Sequence, residues 1–385
     1  MSADVDLLIL GGGCAGLSLA RELAAFGRAS PSVGIIEQRV AYGNDRTWCF
    51  WGDAADPGTE PVEHQWRAVT LRAHGHAVTV DCSRHPYQMI SARRFYDAAL
   101  QTIALAPQIR LETGARIVAE PMLVNGLWQV ETAAGKRRAR QVIDTRPGAA
   151  PCAERGSPLL WQSFHGSEVT CEAPLFDPAT ATLMDFIDDG SHRIVFTYLL
   201  PMSATRALIE LTVFSAAPVT AAELALPLQR QIRARVGSHP FKVERSEHGI
   251  LPMGLVPEKT TWRANYLQVG LMHGAARAST GYAFQRIQRW ARHCAAELAN
   301  GAPAVGHAPD RMLMRGMDRL FLSLLRHRPD LAPTLFVRMF QHAAPDSLAR
   351  FMSDRAALGD TLSLIAALPA LPFIRQLGRN FLHAP

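Results

Sequence analysis

The first apolar run, Val5-Asp6-Leu7-Leu8-Ile9-Leu10, has the β-forming character of a buried parallel strand. Three glycines follow at once. Residues 17–26 then take helical periodicity, with Leu17, Ala20, Leu23 and Ala24 on one face and Gly27 as a stop. A second short apolar strand, Val33-Gly34-Ile35-Ile36, ends in Glu37. Alternation from Val69 to Val80 predicts two paired strands around Gly75. A strand end at residues 87–90 leads through Ser91, an N-cap, into a helix that reaches about Leu105. Residues 109–118, 127–131 and 141–144 read as strands, and Asp144-Thr145-Arg146-Pro147-Gly148 fits a return of the chain to the first sheet.

From Pro158 the pattern turns all-β. Residues 161–169, 181–187, 193–199 and 207–214 predict an antiparallel sheet with turns such as Asp188-Asp189-Gly190-Ser191. A helix over 221–236 and a strand running into Glu247-His248-Gly249-Ile250-Leu251-Pro252-Met253 follow. Tyr266 to Gly270 is again a buried strand, succeeded by a small-residue loop to Gly281 and a helix over 284–298. That unit reads as a third return to the first sheet, which puts Gly270, Thr280 and Gly281 at its ligand end. Residues 313–382 are helical by period and broken at Pro329, Pro345, Pro369 and Pro372. The expected division is a discontinuous nucleotide-binding domain (1–157 with 245–300), a β-rich substrate domain (158–244) and a helical C-terminal region (301–385).

The chemistry-bearing stretch is the first. Gly11, Gly13 and Gly16 stand in G-x-G-x-x-G register between strand and helix. Gly11 permits the turn, Gly13 lets backbone approach a diphosphate, and Gly16 lets helix pack on strand, so the diphosphate meets the helix N-terminus. Glu37 lies about twenty residues on, where an acid takes ribose hydroxyls and disfavours a 2′-phosphate. A bound nucleotide is therefore FAD or NAD, not NADP. Ala15 and Arg39 complete this cofactor-binding set. Arg46 joins it from a loop rich in aromatics (Tyr42, Trp48, Phe50, Trp51), which is expected to fold over a flat cofactor or to line an apolar tunnel, the plainer alternative being ordinary core aromatics.

Composition narrows the classes. A chain of 385 residues, 48% hydrophobic and 19% charged, is globular with room for two domains. No window nears the ~18 apolar residues of a membrane span, and no basic n-region precedes the first apolar run. Six cysteines without C-x-x-C pairs fit a reducing cytoplasm and argue against zinc or a disulfide framework. The net charge of +6 is spread out, and its densest run, residues 136–140, reads as a solvated hairpin, not a nucleic-acid patch. Residues 310–385 hold ten Arg and six Asp beside generous apolar faces. They form either a self-packed subdomain or a surface that grips a bilayer.

In this order the motifs resemble the lycopene β-cyclase family, over nearly the full length. The segments that carry the resemblance are the glycine loop with Glu37, Asn44 to Trp51, Trp161-Gln162-Ser163-Phe164-His165-Gly166, Leu183-Met184-Asp185-Phe186, and Phe196 to Pro201 running to Ile209-Glu210-Leu211-Thr212. Gly249 to Met253, Ser279-Thr280-Gly281-Tyr282 and the tail from Leu348 through Phe373 continue it. The resemblance implies a Rossmann-like FAD-binding domain of glutathione-reductase type, an antiparallel substrate domain and a helical tail, α/β (α+β) in class. It implies non-redox closure of the linear ends of lycopene to β-ionone rings by an enzyme that holds reduced FAD, draws electrons from NADPH and works in the cytoplasm at the membrane surface on a hydrophobic carotenoid. Glu210 takes the place of the first acid in the family's Glu-Asp-Thr or Glu-Glu-Thr motif and is the expected proton donor. Its apolar neighbours should raise its pKa, and alternation sets it with Leu208 and Thr212, opposite Ile209 and Leu211. Asp185 is the second candidate catalytic residue, and Glu247 ranks behind it.

The sequence departs from the family where Leu211 replaces the second acid, and in residues 270–278, which lack the usual Gly-rich run. An FAD-dependent monooxygenase or halogenase, or another redox enzyme on a different polyene or terpenoid, is the competing reading. It is disfavoured because Leu271 stands where those enzymes usually place an Asp.

Overall fold

A computed structural model describes residues 3–55, 60–147, 159–254 and 265–382. Gly148, Cys152 and the expected boundary between residues 157 and 158 lie outside the described residues, as do residues 255–264.

The first sheet forms around β1 (Val5–Leu10), which pairs in parallel with β2 (Val33–Ile36) and with the long strand β11 (Gly135–Asp144). β8 (Ile109–Glu112) extends it beyond β2, and β17 (Tyr266–Gln268) joins β11 in parallel. Both predicted returns of the chain are thus strands of this sheet. β9 (Met122–Val124) and β10 (Leu127–Thr132) add an antiparallel edge. Helices α1 (Cys14–Ala25), α2 (Ala92–Ala104) and α4 (Phe284–Ala299) supply its main core, in which Leu7 and Ile9 meet Leu17, Phe95 and Ile287. The last four residues of β1 are all buried, as expected of a strand covered on both faces.

The second sheet runs β16 (Phe241–Met253), β12 (Leu160–Cys171), β15 (Arg206–Ser215), β14 (Ile194–Pro201), β13 (Thr180–Ile187), β5 (Ala68–Ala73), β6 (His76–Asp81). The β5–β6 hairpin is the predicted one around Gly75, but it lies outside the nucleotide-binding sheet to which residues 1–157 are expected to belong. Here it pairs in parallel with β13, because its apolar Val69 and Leu71 share a core with Ala181 and Leu183. A small third sheet, β3 (Thr47–Trp51), β4 (His64–Trp66) and β7 (Tyr87–Ser91), takes in the aromatic loop. Trp48 and Phe50 pack on Phe284, and Trp48 also on Phe95, so these rings are core.

The two faces of the second sheet have different covers. On one, Ile209, Leu211 and Val213 meet Leu224, Leu228 and Ile232 of helix α3 (Ala221–Val236), which a Thr220–Glu223 capping box starts. On the other, Phe196, Leu208 and Phe214 share a core with Trp51, Tyr87 and the C-terminal helices α5 (Met312–His327), α6 (Ala332–His342), α7 (Pro345–Met352) and α8 (Leu358–Ala367). Helix α9 (Ala370–Leu382) docks on α5, where Gln376 donates to Ser323 at 2.9 Å. Pro329, Pro345 and Pro369 stand at helix breaks as expected, whereas Pro372 breaks nothing and lies in the first turn of α9. The break between α7 and α8 has no proline and turns at Asp354, whose φ is +58°. Among the described residues no single helix is long and apolar enough to cross a membrane, though α8 and α9 together, bent by 100°, match a broken span by length and composition.

Candidate active site

At Gly11 and Gly16 the backbone leaves no room for a side chain. Gly11 has φ +97°, and an added Cβ would lie 2.7 Å from the Thr145 hydroxyl. A Cβ on Gly16 would lie 2.1 Å from the Gly11 carbonyl oxygen, which is how closely helix α1 approaches the strand. Gly13, by contrast, faces open space. Helix α1 starts there, with Ala15 buried in its first turn, no side-chain cap and no acid. Its leading N–H groups are therefore available to an anion, with the helix dipole behind them.

Glu37, at the end of β2, accepts from the N–H of Gly12 at 2.7 Å and from the N–H of Arg39 at 2.7 Å. The Arg39 guanidinium donates to Glu37 at 3.0 Å and to the Gly12 carbonyl at 3.0 Å, and sits over the ring of Tyr42. Burial opposes ionisation of Glu37, but these donors outweigh it and hold its pKa below the usual value. The Tyr42 hydroxyl is buried without a partner, and a Cβ on Gly12 would come within 2.3 Å of it. Uncapped donors, a fixed acid and an orphaned hydroxyl together fit the diphosphate and ribose of a dinucleotide. Gly270, φ +104°, joins this crevice: its Cβ would stand 3.5 Å from the Thr145 carbonyl, while Thr145 bonds the Gly11 carbonyl at 3.0 Å. Arg46 does not converge on it; its guanidinium pairs with Asp45 at 3.1 Å, more than half exposed. Thr280 accepts from the N–H of Tyr282 at 3.3 Å, and Gly281, φ +71°, turns toward the second sheet, where its Cβ would meet Gln162 Oε1 at 3.1 Å.

The second sheet sets Glu210 in a row across four strands: Tyr198 of β14, Glu210 of β15, Gly166 of β12 and Glu247 of β16 are direct neighbours. The row lies on the face of Leu208 and Phe214, as the alternation predicts. The Thr212 hydroxyl donates to Glu210 at 2.9 Å. Burial and then the nearby Glu247 push the Glu210 carboxyl up to about 8, against the lowering effect of Thr212. Glu210 is only half-buried by area, but its neighbours disfavour charge. Burial raises the Cys49 thiol and the Tyr198 phenol, and Glu210 contributes to both shifts. A carboxyl in such surroundings carries its proton at neutral pH.

Asp185 is not brought to this row. It lies on the α3 face, paired with Arg235 of α3 at 2.8 Å, and Arg235 also donates to Thr197. Leu211 points to the same face, 2% exposed, so the residue in place of the family's second acid faces away from Glu210. The carboxylate beside Glu210 is Glu247, 3% exposed, which accepts from Arg245 and from the Thr47 hydroxyl at 2.8 Å. Sequence reading ranked it behind Asp185, since nothing local shows that β16 lies two strands from β15.

Two further groups were missed. Gln162 is buried on the Glu210 face with Oε1 unpartnered, and its signal was its place in an alternating strand. Arg277, 2% exposed, pairs with Asp318 at 3.3 Å, donates to the Phe351 carbonyl at 2.5 Å and lies over the Phe351 ring. The departure segment 270–278 therefore ends in an anchor to α5 and α7. A lone Arg in a small-residue loop was the available signal.

Known proteins share this plan. The chain is similar to a lycopene beta-cyclase of a Paracoccus species, with 26% identity over 95% of each chain. Among solved structures it is similar to a geranylgeranyl bacteriochlorophyll reductase-like protein from Thermoplasma acidophilum (TM-score 0.62, 13% identity, 97% of this chain and 98% of that one). It is also similar to PieE, a flavin-dependent monooxygenase in complex with FAD and substrate (TM-score 0.60, 12% identity, 96% of this chain and 72% of that one). The family described as lycopene cyclase protein matches residues 6–377, and the chain belongs to it.

Proposed function

We propose that this chain is a lycopene β-cyclase that closes the linear ends of lycopene to β-ionone rings, as γ- or β-carotene, without net redox change. The single observation that carries the reading is Glu210, a carboxyl raised to about 8 among buried neighbours, on the sheet face that meets the Gly281 loop. Protonating an alkene needs an acid that keeps its proton at neutral pH and a site that excludes water from the resulting cation.

Glu210 gives its proton to the terminal double bond. The tertiary cation closes on the neighbouring double bond, and a ring proton then passes to the carboxylate that Glu210 has become, which restores the acid and completes an isomerisation in which atoms and electrons balance. The Tyr198 ring and the Glu247 carboxylate present electron density along the Glu210 row. FAD is the cofactor the crevice fits. Gly11, Gly13, Ala15 and Gly16 would hold its diphosphate, Glu37 and Arg39 its ribose end, and Gly270, Thr280 and Gly281 its approach to the second sheet, while NADPH keeps it reduced. Reduced flavin would supply further electron density beside the cation. A long apolar substrate is delivered from a bilayer, and α8 and α9 expose Leu358, Leu362, Ile365, Leu371 and Ile374 beside Arg375 and Arg379. That surface supports peripheral association with a cytoplasmic membrane face.

The test is product analysis in a host that accumulates lycopene. Appearance of γ- or β-carotene is expected. Unchanged lycopene alongside folded, flavin-bearing protein would overturn the reading.

A further inference from the structure

The Glu210 face of the second sheet carries more charge than an acid site alone requires. Arg206, Glu168, Arg245 and Glu247 form a chain of alternating sign: Arg206 donates to Glu168 at 2.6 Å, Arg245 to Glu168 at 2.7 Å, and Arg245 again to Glu247. Glu168 and Glu247 are 2% and 3% exposed. Thr47 of β3 closes the end of the chain, accepting from Arg245 at 2.7 Å and donating to Glu247 at 2.8 Å. A buried ion-pair chain of this kind is a poor source of stability, because desolvation offsets most of the attraction.

Its geometry shows what else it does. Glu247 is the last member, and the next residue in its cross-strand row is Gly166, followed by Glu210. Gly166 needs no special backbone angle. Its missing side chain matters because a Cβ there would stand 3.3 Å from the Glu210 Cβ and 3.3 Å from a Leu208 methyl. The glycine puts no side chain of β12 between the two acids that flank it in the row. A negative charge on Glu247 opposes ionisation of Glu210 across that row and adds to the larger effect of burial. Glu247 accepts from Arg245 and Thr47, whereas among the described residues Glu210 has only the Thr212 hydroxyl. Among the described residues the other titratable groups facing Glu210 are Tyr198 of β14 and Cys49 of β3, and neither is a cation.

We infer that Glu247 is the positioning residue of the proton donor: clamped by Arg245 and Thr47, it acts across Gly166 to keep Glu210 protonated. This rests on the reading of Glu210 as the acid. Glu247 itself gives no proton to substrate. The chain from Arg206 serves to spend the counter-charge on the far side of Glu247, so that its negative end faces Glu210.

The experiment is the pH dependence of cyclisation by purified, flavin-loaded enzyme on lycopene in vesicles, for wild type, Glu247→Gln and Glu247→Asp. The alkaline limb of wild type should move acidward by roughly one pH unit or more in Glu247→Gln, and return toward its wild-type place in Glu247→Asp. A Glu247→Gln enzyme slowed equally at every pH, with its limb unmoved, overturns the inference and makes Glu247 structural. If Glu247→Gln turns over too slowly to profile, the infrared band of a protonated carboxyl that is absent in Glu210→Gln reads the same titration without catalysis. That band should vanish at lower pH in Glu247→Gln, and an unchanged midpoint overturns the inference. Thr47→Val, which removes one donor without touching the charge, supplies a milder folded variant for the same titration and should move the band acidward less than Glu247→Gln does. Failure of the underlying reading looks different: Glu210→Gln would still cyclise.

Discussion

Glu210 and Asp185 stand on opposite faces of one sheet, two strands apart, and the molecule treats them in opposite ways. Asp185 is paired with Arg235 of α3 and helps fasten that helix. Among the described residues Glu210 is given no cation, but a hydroxyl at 2.9 Å and a second carboxyl one glycine away. The first arrangement satisfies a charge, and the second withholds the charge and keeps the proton. Both residues sit in apolar strands and look alike in sequence, so the partner across the sheet face, not the residue type, separates structure from chemistry.

The comparison can be broken most sharply at Glu210 itself. Glu210→Gln preserves shape and hydrogen bonding, and should lower turnover by at least about a hundredfold, the range of a lost general acid, in the product assay at equal protein. Leu211→Glu restores an acid at the family's second position but aims it at α3. It should bring no gain in turnover and cost on the order of 3 kcal/mol in denaturant unfolding, the penalty of an unpaired buried charge.

A third effect follows from linkage. The folded Glu210 holds its proton to about pH 8, whereas the unfolded residue loses it near 4.5. Below that window both states are protonated and nothing is contributed. Through it the folded state binds the extra proton, so stability falls as pH rises, by on the order of a few kcal/mol in all. Unfolding of Glu210→Gln should lack this slope, and the variant should gain on wild type from pH 5 to 8. The smallest effect belongs to Asp185→Asn: about 1–2 kcal/mol from a partly buried pair, with turnover unchanged.

Much of this was legible in the chain. The glycine loop, Glu37 and the returns of the strands at 141–144 and 266–270 are local patterns, and the face of Glu210 follows from period two within one strand. Asp185 was misleading for a physical reason. By alternation it belongs with Ala181 and Leu183 on the Glu210 face, but the pairing slips between Thr182 and Asp185, and that bulge turns it to the other side. Glu247 could not be found from sequence because its place depends on the register of β12 with β16, about eighty residues apart, and then of β12 with β15. Arg46, read from its aromatic company, went to the surface because the aromatic rings packed as core without it.

The central claim is that Glu210 delivers a solvent-exchangeable proton to the substrate. Cyclisation run in deuterium oxide, with mass analysis of the carotenoid, tests it directly. Wild type should gain one deuterium per ring closed with no net consumption of NADPH, and Glu210→Gln should close rings at no more than about a hundredth of that rate. Ring closure without deuterium, or deuterated rings from Glu210→Gln at a rate near that of wild type, would contradict the account.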